Sequence, residues 1–217
     1  MKRNTTFFAV ILCFIMVLQG WSQTINQKLI TGITPANSSL DAYSLKYNAA
    51  TGGWVYADYD TNTSKYIIIS PKGSSKPFSY TMQYNTLFDA EGNSYMIASE
   101  NVTDTVYRYS VVKNNEAIAV FDYINEGWVI KDDILYYAAQ ESGKSYMVTY
   151  DTKYGTLTKS KGYDEVRLSY TPSGYSEGEP VGYVGFTKAG LVYYVARSSD
   201  ETFLVIGDSE QKHYSDI

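Results

Sequence analysis

The chain has 217 residues, 23 of them Tyr and one Cys, with 16% aromatic and 19% charged residues. That length fits one domain or two small ones, and the apolar content excludes global disorder. A net charge of −5 and a pI near 4.9 exclude nucleic acid as a main partner and disfavour anionic lipid surfaces.

Lys2 and Arg3 precede the apolar run Phe7–Leu18, and Gly20 and Ser22 follow it two apart. A basic start, a run too short to span a bilayer and a small-x-small site predict a signal peptide over 1–22, cleaved ahead of Gln23. A retained anchor helix is the alternative. Cys13 follows Leu12 and lies inside the apolar run, which does not suit lipoprotein processing. Cleavage removes that Cys, so no disulfide framework is expected and packing must supply stability. The short basic start, with Gln at the mature end, reads as bacterial. The exported product is expected in the periplasm, on the cell surface or in the medium, without stable membrane insertion. The sequons at Asn37, Asn62 and Asn101 are then coincidental.

From 23 to 217 the chain repeats. An apolar–aromatic block ending in Ala recurs at Trp54–Ala57, Tyr95–Ala98, Tyr136–Ala139 and Tyr193–Ala196, with the Ala residues 41, 41 and 57 apart. The last interval is one period plus an insertion, assigned to 168–182. Residues 26–36 read as one further strand. Each block is followed by a β-branched and aromatic run, at 66–70, 106–112, 146–150 and 202–206, and then by a short aromatic-led strand at 78–80, 120–124, 163–166 and 214–217. Gly turns precede the blocks at Gly52–Gly53, Gly92 and Gly190, and Lys131-Asp132-Asp133 lacks one. No sustained helical stripe occurs between 23 and 217. Four short strands in about forty residues is the size of a β-propeller blade. The predicted fold is all-β, a propeller-like array of about four four-stranded blades near 43–84, 86–125, 127–168 and 182–217. A partial propeller or truncated reading frame is preferred to a complete four-bladed ring, and a two-sheet sandwich is the rival.

The blocks LFDAEGNSYMIASE, GFTKAGLVYYVARS and TFLVIGDSEQKHYSDI resemble bacterial WD-like propeller repeats of the Tol-associated type. The resemblance covers roughly 45–217 and implies the propeller architecture; it says little about function. No Trp-Asp dipeptide closes a repeat, and the Pro-Asp-Gly turn of that family is missing.

Motifs for chemistry are weak. Gly174-Tyr-Ser176-Glu-Gly178 matches a nucleophile-elbow pattern, but Pro172 and Pro180 flank it and no helix pattern follows. His213 is the one His, next to Lys212 in the last predicted strand, and suits a surface or packing role. With no Cys after cleavage, a His/Cys zinc site is excluded. Asp58-Tyr-Asp60-Thr-Asn62 spaces three oxygen ligands like the start of a calcium loop, but Thr63 and Ile69 break the pattern, and a polar hairpin is the simpler reading. Paired carboxylates for glycoside hydrolysis would be drawn from the first strands, where Asp89 is the main acid. No catalytic, cofactor or metal residues are therefore assigned. The insertion offers the one lead: Tyr170 and Tyr175 as flat contacts with Glu177 and Glu179 at the rim, expected beside the hairpins at 58–65, 99–105, 140–145 and 197–201. An ordinary linker is the competing explanation. The expected function is non-enzymatic binding of a protein or cell-envelope component. The alternatives are a glycan-acting propeller (lectin or glycosidase) and a fragment without independent activity.

Overall fold

The computed structural model describes residues 38–39, 45–168 and 184–214. The predicted signal peptide, the strand at 26–36, Tyr170, Tyr175, the Gly174–Gly178 motif, Glu177 and Glu179 lie outside them. The chain divides after Leu40, and Ser38–Ser39 is the one described strand of the N-terminal unit.

The second unit is all-β. It holds four separate antiparallel sheets in an open, propeller-like array. The described residues contain no α-helix, only a single 3-10 turn at Gln83–Asn85. Each sheet is built on a long hairpin: Gly53–Asp60 with Lys65–Ser70, Ser94–Asn101 with Tyr107–Lys113, Ile134–Glu141 with Lys144–Asp151, and Val192–Ser198 with Glu201–Ile206. Alternation along these strands gives each sheet two apolar faces, so each needs a neighbour on both sides. Val55, Ala57 and Ile68 of the first sheet pack with Met96, Ala98 and Val112 of the second. Tyr95, Ile97 and Val111 of the second pack with Leu135, Tyr137, Ala139 and Val148 of the third. Ala138 and Met147 of the third pack with Tyr194, Ala196, Phe203 and Val205 of the fourth.

Two features differ from the sequence reading. The short aromatic-led strands were expected to close the unit before them. Instead, each connection is shared. Phe78, Phe121 and Tyr163 bridge back to Tyr66, Tyr109 and Ser145 of the preceding sheet. Two residues later, Tyr80–Thr81, Tyr123–Ile124 and Glu165–Arg167 pair with the following sheet. The handover is clasped the same way each time. The side-chain oxygens of Ser79, Asp122 and Asp164 accept hydrogen bonds from the backbone N–H of Asn101, Ser142 and Ser199, at 3.1, 2.7 and 2.6 Å. Asp122 and Asp164 also hold Arg108 and Lys144 of the sheet behind, at 2.7 and 2.6 Å.

The second difference is a register. Ala98, Ala139 and Ala196 are equivalent and face the preceding sheet. Ala57 faces the following sheet, so the first unit is offset by one residue from the others, which exchanges its two faces. The missing Gly at 131–133 is answered by backbone: Asp132 and Asp133 both take left-handed φ, 49° and 61°, which Asp tolerates in a two-residue hairpin turn.

Candidate functional site

The edge strand of each later sheet is broken in two. In the second sheet Tyr80–Thr81 and Leu87–Phe88 both pair with Ser94–Asn101. In the third, Tyr123–Ile124 and Val129–Lys131 pair with Ile134–Glu141. In the fourth, Glu165–Arg167 and Gly185–Phe186 pair with Val192–Ser198. The breaks stack on one another. Asn85 Nδ2 donates to the Glu126 carbonyl at 3.0 Å, Trp128 Nε1 donates to the Asn85 carbonyl at 2.9 Å, and Val184 N–H donates to the Gly127 carbonyl at 3.3 Å.

In the fourth sheet the break falls where residues 169–183, and with them most of the insertion, lie outside the described residues. Leu168 and Val184, on either side of them, are buried in one cluster. The break lies between the pairs Arg167↔Val195 and Gly185↔Tyr193. The expectation that the insertion lies beside the hairpins falls on residues outside the described ones.

Aromatic residues gather at the seam between the second and third sheets. Across the second sheet Tyr80, Ser99, Tyr109 and Phe121 stand in one row. Tyr107 lies two residues before Tyr109 and shares its face. From the third sheet Tyr123 meets Tyr109 edge-on, with ring centroids 5.4 Å apart and planes at 72°. Tyr80, Tyr107 and Tyr123 are 51%, 45% and 39% exposed, so their rings are presented to solvent while Tyr109 is half-buried beneath them. Burial raises the Tyr109 pKa first, and the neighbouring Tyr107, Tyr80 and Glu126 raise it further. The Arg108–Asp122 ion pair stands at the rim. Sequence reasoning missed this group because each Tyr falls on the repeat's own beat.

The residues suspected of chemistry take structural parts. Asp89 is buried and saturated: Oδ1 accepts from Glu91 N–H and Asn93 N–H at 3.1 and 2.8 Å, Oδ2 from Asn93 Nδ2 and Tyr95 Oη at 2.9 Å each. It closes a turn. Asp60 caps its hairpin, accepting from Asn62 N–H at 2.9 Å and Thr63 Oγ1 at 2.8 Å, and the Asn62 bond foremost lowers its pKa. Among the described residues no group of three or more His, Cys, Asp or Glu is placed to hold a metal. His213 sits in the strand Ser209–Tyr214, opposite Phe203. A small cleft lies between the third and fourth sheets, lined by Tyr123, Asn125, Gln140, Ser145 and Val166. Among the described residues no helix is long and apolar enough to cross a membrane.

No family model matches the chain, and no curated protein sequence matches it.

Proposed function

We propose that the chain is an exported, non-enzymatic binding protein of WD-like propeller type that engages a protein or cell-envelope component through the tyrosine seam between its second and third sheets. One comparison within the molecule supports this reading. The positions that carry Tyr80, Ser99 and Tyr109 in the second sheet, and Tyr123, Gln140 and Ser145 in the third, carry Glu165, Arg197 and Thr202 in the fourth. An array joint at that place therefore does not require tyrosine. Rigid amphipathic rings with a charged rim are what recognition surfaces concentrate, because each ring contributes area at small entropic cost.

The test is binding by the chain lacking residues 1–22, with Tyr107→Ser, Tyr123→Ala and the double variant alongside. Two probes are used: isolated cell-wall polysaccharide in co-sedimentation, and solubilised envelope proteins captured by cross-linking. The reading expects a protein or wall component retained by the parent and weakened at least tenfold by the double variant, with the far-UV spectrum unchanged. Retention by the double variant at parental affinity would refute it. Binding of soluble oligosaccharide alone would move the assignment to the glycan-binding alternative. Export is read separately, from a mature N-terminus at Gln23.

A further inference from the structure

We infer that the cleft between the third and fourth sheets seats one unit of a neutral sugar chain, with a hydroxymethyl-sized group inside and the Tyr123 ring against the sugar. The cleft has a volume of about 30 Å³, room for about two water-sized groups, and described residues line it. It shares Tyr123 with the tyrosine seam, but a sugar here neither needs nor replaces the seam's partner.

The neighbouring joint shows why a cleft forms here. Met82 N–H donates to the Ile97 carbonyl and Asn125 N–H to the Ala138 carbonyl, both at 2.8 Å, so the two connections enter their sheets in one register. On that register Met82, Ile97, Tyr109 and Ile124 correspond to Asn125, Ala138, Ser145 and Val166. Between the second and third sheets Ile97 and Ile124 are buried in one cluster, with Met82 and Tyr109 packed against it. Between the third and fourth, a smaller side chain stands at each of the four places. Volume that side chains fill in one joint is therefore left open in the other.

The exchange also changes the chemistry. Ser145 brings a hydroxyl into the joint and is only 4% exposed. Asn125 Oδ1 accepts from Gly127 N–H at 2.9 Å, which fixes the amide, so the donors it can offer a guest are those of Nδ2. Gln140 is exposed and adds an amide that both donates and accepts. Among the described residues no charged side chain lines the cleft. The acids beside it in sequence are engaged elsewhere: Asp122 with Arg108, Asp164 with Lys144 and Glu165 with Arg167. An ion would find no counter-charge to offset its desolvation. A sugar needs none: two amides and a hydroxyl can exchange hydrogen bonds with its hydroxyls, and the exposed Tyr123 ring can cover its C–H face.

The experiment is an NMR titration of the chain lacking residues 1–22, reading the side-chain amide signals of Asn125 and Gln140. The probes are soluble tetrasaccharides: a β-1,4-glucan, a β-1,4-linked N-acetylglucosamine chain and, as the charged control, an α-1,4-galacturonan. At least one neutral chain should shift both amides and saturate with a Kd of about 1 mM, the galacturonan binding at least tenfold more weakly. Ser145→Tyr, which puts the second sheet's residue into the cleft, should weaken binding at least tenfold. The milder Gln140→Ala, read at Asn125, should weaken it about threefold, and the remote Lys153→Ala should not change it. No shift from either neutral chain up to about 10 mM overturns the inference. So does galacturonan binding as tightly as the neutral chains, or binding unchanged in Gln140→Ala or in folded Ser145→Tyr. Envelope binding that Tyr107→Ser weakens while the cleft amides stay silent overturns it and leaves the seam reading standing.

Discussion

The joint between the second and third sheets and the joint between the third and fourth are built on one plan and finished differently. Each centres on a tyrosine two residues before the repeat alanine: Tyr137 in the first case, Tyr194 in the second. Tyr137 is fully buried against Phe121, ring centroids 5.8 Å apart, and its hydroxyl has no hydrogen-bond partner among the described residues. Burial accordingly pushes its pKa up. Tyr194 meets Tyr163 at 6.3 Å, and its hydroxyl is tied to Ser160 and Tyr163. The former joint leaves that hydroxyl unpaired and closes its edge-strand break with Trp128. The latter carries a polar chain from Ser160 through Tyr194 and Tyr163 to Glu210. The repeat sets where a joint forms, and the hydroxyl partners distinguish one joint from the other.

The comparison breaks first at Tyr137. Tyr137→Ala should cost about 3–5 kcal/mol, as truncations of large buried aromatics do, read as a lower midpoint in urea. Overpacking is the next largest effect. Ala139→Leu puts a large side chain where the second and third sheets touch and should cost about 1–3 kcal/mol. The paired substitutions to Phe sharpen the contrast because they differ in sign. Tyr137→Phe removes an unpaired buried hydroxyl and should stabilise by about 1 kcal/mol, whereas Tyr194→Phe removes a paired one and should destabilise by about 1 kcal/mol. Equal shifts in denaturant midpoint for the two would erase the distinction between the joints.

The smallest effect lies at the handover clasps. Asp164 is held below the ordinary carboxylate range first by its bond from Lys144 and then by the Ser199 N–H. A depressed folded pKa stabilises at pH above the unfolded value and loses that contribution as pH falls through the folded one. Asp164→Asn should therefore lower Tm slightly at neutral pH, and the difference from the parent should fade as acid protonates the carboxyl. The group is exposed, so added salt should shrink the effect as well.

Much of this architecture is legible in the residues. The strand-rich repeat and the all-β class follow from periodicity and turn chemistry. The handover is not legible, because strands of two residues such as Tyr123–Ile124 have no period to read. Nor is the offset of Ala57: its spacing to Ala98 matches the next interval, yet hairpin loops of different length allow the strand to slip one place and turn over. The tyrosine seam depends on which rows of two neighbouring sheets meet, as with Tyr109 and Tyr123, and no spacing along one chain encodes that.

The central claim is that each connection ends one sheet and begins the next. Solution NMR of the chain lacking residues 1–22 tests it through backbone cross-strand NOEs of the short strands. The account predicts contacts of Tyr80 with Ser99, Tyr123 with Gln140 and Glu165 with Arg197. Contacts running instead from Tyr123 and Ile124 to the strand Tyr107–Lys113 would return these strands to the preceding sheets and contradict it.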